Sequence, residues 1–184
     1  MSDQGNEGIL SPFLKNARFK AVKKLISSKD TILDIGCGSG DLGQLVNSDN
    51  YFGYDIDSFS LSLAKNKYPN HSFENKLPKK KFDIIVSLAV IEHVKDPVNF
   101  LHTLKKNLNP NGKIILTTPH PAFEWIHDLG AKSGLFSSHA SEEHETLMNY
   151  KSMIRISKAS GLKIISYKRF LFFANQLFIL RIAQ

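Results

Sequence analysis

Residues 33–42 read Leu33-Asp34-Ile35-Gly36-Cys37-Gly38-Ser39-Gly40-Asp41-Leu42. Three glycines at alternate positions follow a short apolar segment, and an acidic residue precedes the first of them. Glycine is required where the backbone adopts a positive φ, or where a ligand must come closer than a Cβ atom permits. The pattern predicts a tight turn from a strand into a helix, with backbone N–H groups directed at a bound ligand.

The acidic residue at the end of the predicted strand, Asp34, constrains the charge of that ligand. Two unit charges about 4 Å apart interact by roughly 4 kcal/mol at an effective dielectric constant of about 20. A cationic group is therefore favoured beside Asp34, and a pyrophosphate is disfavoured. The expected ligand has a positive charge next to a carboxylate, as does the methionine end of S-adenosylmethionine.

Two other nucleotide-binding motifs compete with this interpretation. Residues 38–43 satisfy the dinucleotide fingerprint G-x-G-x-x-G, and Asp55 follows Gly38 by 17 residues, near the spacing of a ribose-binding acid. Asp34 and Asp41 argue against a bound pyrophosphate, and dinucleotide binding stays as an alternative. No Gly-Lys-Ser/Thr sequence occurs in the chain, which excludes a P-loop.

Short apolar runs alternate with helical stretches along the chain, a pattern typical of parallel βαβ units. Strands are predicted at 31–35, 50–55, 71–74, 82–88 and 113–118, with a closing hairpin at 162–172 and 176–182. Helices are predicted at 12–28, 40–47, 58–67, 97–108 and 149–160. Ser58 is the predicted N-cap of the third helix, and Asn109–Gly112 is a predicted turn. The apolar segments Phe170–Phe173 and Leu177–Leu180 are expected to be buried hairpin strands.

Length and composition favour a single domain. We predict one domain over 1–184, with residues 1–11 flexible and residues 119–148 forming a lid on the substrate side. Cys37 is the only cysteine, which excludes a disulfide framework and a cysteine-rich metal site. The sequence shows no apolar leader and no run of membrane-spanning length, so we expect a cytoplasmic protein without stable membrane insertion. No oligomeric state is predicted.

The net charge of +7 is concentrated in the last part of the chain. From Thr146 to the end there are seven basic residues and no acidic one. We interpret them as solvated surface residues, with attraction of an anionic substrate, a membrane surface or a nucleic acid as alternatives.

Four segments in order carry a resemblance to a known family: Leu33–Gly40, Tyr54–Asp57, Phe82–Val94 and Leu108–Pro119. Together, over about residues 30–120, they resemble class I S-adenosylmethionine-dependent methyltransferases. The likeness is greatest to the small-molecule branch that includes quinone-biosynthesis O-methyltransferases. It implies an α/β Rossmann-like fold, a doubly wound, seven-stranded, mostly parallel sheet with an antiparallel C-terminal hairpin.

The resemblance also implies a reaction and a cofactor site. The reaction is in-line transfer of a methyl group from S-adenosylmethionine to a small-molecule acceptor, with O-methylation favoured and S-adenosylhomocysteine as the product. Asp55 is expected to bind the ribose hydroxyls, Ile56 and Asn75 to contact the adenine, and Ser87 and Leu88 to lie near the sulfur. The full set of expected cofactor residues is Asp34, Gly36, Cys37, Gly38, Ser39, Gly40, Asp55, Ile56, Asn75, Ser87 and Leu88.

Two residues after the fourth strand, His93 and Glu92, are the candidate catalytic bases for an acceptor that must lose a proton. Packing against the cofactor or helix capping is the alternative role for both. His120 and His139 are predicted to face the substrate, and no metal site is predicted because no tight ligand spacing occurs.

Two alternative functions stay open. One is a binding or scaffolding protein that keeps the cofactor pocket without catalysis. The other is a nucleic-acid methyltransferase, which is disfavoured because Ser87-Leu88-Ala89-Val90 stands where amino-methyltransferases carry an Asp/Asn-Pro-Pro-Tyr/Phe motif.

Overall fold

The computed structural model describes residues 11–121 and 148–183. These residues form a seven-stranded sheet with strands β1 Ile32–Ile35, β2 Tyr51–Tyr54, β3 Ser72–Glu74, β4 Phe82–Leu88, β5 Leu108–Pro119, β6 Leu162–Phe170 and β7 Asn175–Ile182. The α-helices are α1 Ser11–Lys23, α2 Ser58–Lys67, α3 Pro97–Lys106 and α4 Tyr150–Ala159.

The strand order is β3-β2-β1-β4-β5-β7-β6. Strands β1 to β5 pair in parallel, whereas β7 is antiparallel to both β5 and β6. This topology confirms the predicted doubly wound sheet with its C-terminal hairpin. The order reverses direction at β1 and β4, and in open α/β sheets ligands bind at the carboxyl edge beside such a reversal.

Apolar residues cover both faces of the sheet. One face packs under α3 and α4, where Leu101, Leu104 and Met153 are buried, and the other under α1 and α2, where Val22 and Leu61 are buried. A parallel sheet covered on both faces requires continuous rather than alternating apolar runs. This is why Ile84-Ile85-Val86 forms a strand in the middle of the molecule.

Three helical predictions were wrong in detail. Helix α1 ends at Lys23, not at residue 28, and the segment predicted as a helix over 40–47 is a 3-10 helix at Asp41–Leu45. The N-cap of α2 is Asp57 rather than Ser58, because the Asp57 carboxylate accepts hydrogen bonds from the amides of Phe59 and Ser60. Helix α3 begins as expected, with Asp96 at the N-cap and Pro97 in the first turn.

The turn predicted at Asn109–Gly112 is also wrong, because these residues lie within β5. Phe82 pairs with Leu108 and Ile84 pairs with Lys113, so residues 109–112 lie opposite Asp83 alone. The Asp83 carboxylate accepts hydrogen bonds from the Thr31 amide at 3.0 Å, the Thr31 hydroxyl at 2.7 Å and the Asn109 side chain at 2.7 Å. These bonds attach the irregular part of β5 to the start of β1.

The hairpin prediction holds for one strand and fails at the turn. Leu177–Leu180 is buried, but Phe172 and Phe173 are 86% and 62% exposed. Both phenylalanines lie in the turn between β6 and β7, which is closed by a 2.9 Å hydrogen bond from the Ala174 amide to the Leu171 carbonyl. None of the helices in the described part of the chain has the length and apolar character to cross a bilayer.

Replacing Asp83 with alanine tests this attachment. The change removes three hydrogen bonds from a partly buried position, so we expect the free energy of unfolding to fall by about 1–3 kcal/mol. Denaturant titration followed by circular dichroism measures the loss. Asp49→Ala, at an exposed acidic residue, is the control and should change stability by less than about 0.5 kcal/mol. Equal effects of the two substitutions would contradict a structural role for Asp83.

Candidate functional site

Most of the backbone amides in the glycine turn after β1 donate hydrogen bonds to other groups of the protein. The amides of Gly36 and Cys37 donate to the Tyr54 carbonyl at 2.8 and 3.1 Å, and the Gly40 amide donates to the Cys37 carbonyl at 2.9 Å. The expectation that these amides point at a ligand was therefore wrong. The turn therefore has its shape without a ligand. A ligand would contact its side chains and its exposed surface.

Asp55 connects this turn to the start of α2. Its carboxylate accepts from the Gly38 amide at 2.8 Å and from the Asp57 amide at 3.0 Å. The cap of α2 is Asp57 and not Asp55. Each carboxylate oxygen keeps a further lone pair, so Asp55 can still accept hydrogen bonds from a ligand. Ile56 beside it is 83% exposed and offers an apolar surface at the same edge.

The three glycines of the turn differ in what surrounds them. All three have positive φ, at +70° for Gly36, +52° for Gly38 and +75° for Gly40. A Cβ atom on Gly36 would lie 2.5 Å from Val90, and one on Gly40 would lie 2.5 Å from the Phe73 ring. A Cβ on Gly38 would meet nothing within 4 Å. Gly36 and Gly40 are thus required by packing, whereas Gly38 faces open space.

Gly38 also lines a cavity of about 610 Å³ between the glycine turn and α1. Its lining combines acidic and basic side chains: Asp34 and Asp41 from the turn region, Lys15 and Arg18 from α1, and Lys67 from α2. The other lining residues are Asn16, Phe19, Gly36, Cys37, Gly38, Ser39, Leu42, Gln44, Tyr68 and Leu88.

Asp34 is the buried acid of the cavity, with only 4% of its surface exposed. It accepts a 2.7 Å hydrogen bond from the Tyr51 hydroxyl. Burial raises the pKa of Asp34 to about 7, an effect that the Tyr51 hydrogen bond only partly opposes. The carboxyl group therefore loses its proton near neutral pH rather than well below it.

Asp41 is neutralised by its neighbours. It forms ion pairs with Lys15 and Lys67 and accepts a 3.0 Å hydrogen bond from the Tyr68 hydroxyl. Burial by itself would raise the pKa of Asp41, but the hydrogen bonds from the two lysines outweigh it and hold the pKa well below its usual range. The cluster joins α1 and α2 across the glycine turn.

Arg18 and Glu92 lie close enough for the charge of each to affect the pKa of the other. Burial lowers the pKa of the Arg18 guanidinium, and the charge of Glu92 opposes this effect. Burial raises the pKa of Glu92, and nearby His93 and Arg18 oppose it. The Arg18 Nε donates to the Asn175 side-chain oxygen at 3.4 Å, which links α1 to β7.

The remaining predicted cofactor residues lie at the same sheet edge but differ in accessibility. Leu88 lines the cavity, while Ser87 is buried and is not in its lining. Asn75 is exposed and follows β3, which pairs with β2 beside Asp55. Ala89 follows Leu88 with a φ of +56°, a strained conformation of the kind that occurs at functional sites.

The predicted catalytic and substrate residues also differ in accessibility. Glu92 is buried, His93 is exposed, and both belong to a 3-10 helix after β4. His120 follows β5, and its amide donates to the Ala174 carbonyl at 2.8 Å. His139 and nearly all of the predicted lid lie outside the described residues, as do residues 1–10. Among residues 11–121 and 148–183 there is no cluster of metal ligands.

Sequence reasoning missed the basic residues of the cavity. Lys15 and Arg18 are three positions apart on α1, and Lys67 lies at the end of α2. Nothing in the local sequence distinguishes them from other surface lysines and arginines, because their role depends on how α1 packs over the glycine turn.

Comparisons with known proteins show the family to which this chain belongs. The family model described as "Methyltransferase domain" matches residues 10–167, and the chain belongs to this family. The predicted class, that of S-adenosylmethionine-dependent methyltransferases, is thereby confirmed.

The chain is similar to proteins with different named activities, as two curated relatives and one solved structure show. The chain is 30% identical over 101 residues to the mitochondrial ubiquinone biosynthesis O-methyltransferase of Schizosaccharomyces pombe, covering 47% of this chain and 37% of that protein. It is 34% identical over 101 residues to the tRNA U34 carboxymethyltransferase of Pseudoalteromonas translucida, covering 48% and 31%. The chain thus spans about a third of the length of these relatives. The magnesium protoporphyrin IX methyltransferase of Synechocystis with bound SAH shares the fold, with a TM-score of 0.71, 15% identity and coverage of 99% and 90%.

Gly38 and Gly40 provide a matched pair of substitutions. Gly38→Ala meets no neighbour, so we expect only the cost of a positive φ, about 1–2 kcal/mol, together with a loss of S-adenosylhomocysteine affinity of at least about tenfold. Gly40→Ala adds a clash with the Phe73 ring and should lower the melting temperature further. Thermal unfolding and calorimetric titration measure the two effects. A Gly38→Ala variant with unchanged affinity would contradict ligand contact at this position.

Proposed function

We propose that this protein transfers a methyl group from S-adenosylmethionine to a small-molecule acceptor, with an oxygen atom as the favoured site of methylation. The observation that carries the proposal is the presence of opposite charges in one cavity, whose lining includes Asp34, Arg18 and Lys15 together with Gly38. A free amino acid group carries an ammonium and a carboxylate on one carbon. Such a group fits a cavity with an acid on one wall and basic residues on another.

The residues present fit the two ends of S-adenosylmethionine. On the methionine side, the Asp34 carboxylate would hold the ammonium group, and Arg18 or Lys15 would hold the carboxylate. On the nucleoside side, the remaining lone pairs of Asp55 would accept the ribose hydroxyls, and the exposed Ile56 side chain would pack on the adenine. Asn75 stays a predicted adenine contact and Ser87 a predicted residue near the sulfur.

When bound, S-adenosylmethionine supplies an electrophilic methyl group attached to a positively charged sulfur. The residues of this chain contribute mainly by orientation, which converts an encounter between two molecules into a local reaction. An acceptor hydroxyl must lose a proton, and histidine titrates in the range where it can take one. His93 is exposed and Glu92 is buried, so of the two predicted bases His93 is the accessible one.

The relatives support the choice of acceptor class without naming the acceptor. The Schizosaccharomyces pombe relative is named for ubiquinone biosynthesis and for O-methylation, which favours a small molecule with a hydroxyl group. The Pseudoalteromonas translucida relative is named for tRNA, which keeps a nucleic-acid acceptor as the second candidate. The cytoplasmic location stays a prediction.

Calorimetric titration of the full chain with S-adenosylhomocysteine and with NAD tests the cofactor. Micromolar binding of S-adenosylhomocysteine without binding of NAD supports the proposal, and the reverse result ends it. A screen of metabolite pools and of tRNA with S-adenosylmethionine, followed by mass spectrometry, then tests the acceptor. A methylated metabolite supports a small-molecule acceptor, whereas methylated tRNA alone would replace it with the second candidate. Binding without any methylated product would favour the non-catalytic alternative.

The raised pKa of Asp34 predicts a pH dependence of ligand affinity. Below pH 7 the carboxyl group is protonated, and an ammonium group must displace the proton, so affinity for S-adenosylhomocysteine should fall by up to about tenfold per pH unit. Above pH 7 the carboxylate is already formed and affinity should level off. Titration calorimetry in buffers of different ionisation enthalpy measures the proton released on binding.

Asp34→Asn is the control for this prediction, because asparagine has no proton to release. Its affinity should be weaker and independent of pH over the same range. The unliganded wild type should also lose stability as the pH rises from about 4 to about 7, since the folded state holds the proton that the unfolded chain releases. A wild-type affinity that stays unchanged from about pH 5.5 to about pH 8 would refute the assignment of Asp34, because the pKa of Asp34 lies within this range.

A further inference from the structure

The turn between β6 and β7 exposes apolar residues in an unusual backbone conformation. Leu171, Phe172 and Phe173 have φ values of +53°, +51° and +67°. Bulky residues rarely adopt positive φ, and glycine or asparagine would relieve the strain. Phe172 and Phe173 are nevertheless 86% and 62% exposed. We call residues 171–174 the hairpin tip.

The hairpin tip lies at the same sheet edge as the glycine turn. Asn175, the first residue of β7, pairs with Pro119, the last residue of β5. The Ala174 carbonyl accepts the His120 amide at 2.8 Å. Because β1 to β5 are parallel, their carboxyl ends share one edge, and the tip projects beside it.

A groove of about 710 Å³ begins at the hairpin tip and runs between α1 and the β6–β7 hairpin. Its apolar lining includes Leu25, Phe170, Leu171, Leu177 and Ile179. The basic residues that line it are Lys20, Lys23, Lys24, Lys168 and Arg169. None of the lining residues in the described part of the chain is acidic. We call this feature the basic groove.

An exposed apolar tip next to a basic groove suits the surface of an anionic bilayer. Aromatic side chains enter the headgroup region of a bilayer, and lysine stems lie along apolar surface while their ammonium groups reach anionic headgroups. Each basic residue near an anionic membrane surface adds to the attraction. A second copy of this chain is disfavoured as the partner, because a two-fold contact would place the same basic residues against one another.

We propose that the hairpin tip and the basic groove dock this protein on the surface of a bilayer that contains anionic lipids. The tip enters the headgroup region, and the basic groove lies against the headgroup charges. Docking in this way places the carboxyl edge of the sheet, with His120, next to the membrane surface. The proposal does not depend on methyl transfer and adds an interaction surface to the proposed enzyme.

Co-sedimentation with lipid vesicles tests the docking. The full chain is mixed with vesicles of phosphatidylcholine alone, or of equal parts phosphatidylcholine and phosphatidylglycerol. We expect binding to the anionic vesicles, little binding to the neutral ones, and weaker binding at high salt because salt screens the attraction. Failure to bind anionic vesicles at low salt, or equal binding to both compositions, would overturn the proposal.

Two variants separate the tip from the charge. Phe172→Ser with Phe173→Ser should reduce the bound fraction by at least about tenfold, since two exposed aromatic side chains lose their insertion. Lys20→Glu with Lys24→Glu should reduce it to the level of the neutral vesicles. Wild-type binding by either variant would overturn the proposal.

Matched controls lie on α4, which packs on the opposite face of the sheet. Lys151→Glu with Arg155→Glu makes the same change of charge at two exposed positions, and Ile154→Ser removes an exposed apolar side chain. Both controls should bind anionic vesicles as the wild type does. A loss in the charge control equal to that of the groove variant would show attraction by net charge alone, and a loss in Ile154→Ser equal to that of the tip variant would show no particular role for the tip; either result would overturn the proposal.

Two further measurements identify the other occupants. Light scattering that shows a dimer dissociated by the Phe172→Ser and Phe173→Ser changes would identify a contact between copies instead. Binding of single-stranded RNA, lost in the Lys20→Glu and Lys24→Glu variant without any vesicle binding, would identify a nucleic-acid surface. S-adenosylhomocysteine affinity should be the same in all variants. Vesicle binding can therefore succeed even where the cofactor assignment fails.

Discussion

The arrangement of the site depends on the hydrogen bonds that the Asp55 carboxylate accepts. This carboxylate accepts the amides of Gly38 and Asp57, and so joins the turn after β1 to the start of α2. The amides of Gly36 and Cys37 are meanwhile directed to Tyr54 at the end of β2. The turn is therefore held in shape by its neighbour in the sheet before any ligand arrives. Such preorganisation lowers the free energy that ligand binding must supply.

Because amides of the turn already have hydrogen-bond partners, the site differs from a glycine turn that binds its ligand through free amides. A glycine turn that opens a long helix binds anions through free amides and the helix dipole. Here the helix is a five-residue 3-10 segment, and the turn amides described above already have partners. We propose that recognition passes to side-chain charges, since Asp34 and Arg18 both line the cavity. That arrangement suits an amino acid and not a pyrophosphate.

The N-terminal helix connects the two surfaces of the molecule that we assign. One side of α1 lines the cavity through Lys15 and Arg18, and the other lines the basic groove through Lys20 and Lys23. The Asp41 ion pairs and the Arg18–Asn175 hydrogen bond attach this helix to α2 and β7 respectively. A helix whose intrinsic pattern is only weakly amphipathic is thus positioned by contacts made far along the chain.

The sequence by itself determined the class of fold and the family, whereas the cofactor residues that it indicates stay a prediction. Continuous apolar runs such as Ile84-Ile85-Val86 indicate buried parallel strands, and Asp96-Pro97 marks a helix start through local backbone chemistry. These signals are local in the sequence, so they can be interpreted without knowing which residues are close in space. Only the tertiary structure decided that Asp57 and not Ser58 caps α2, that Asp34 titrates near neutral pH, and that Phe172 is exposed. The pKa of Asp34 and the exposure of Phe172 depend on the distant segments that surround each residue, because burial is a property of packing, whereas the choice of cap depends on the residue at which α2 begins.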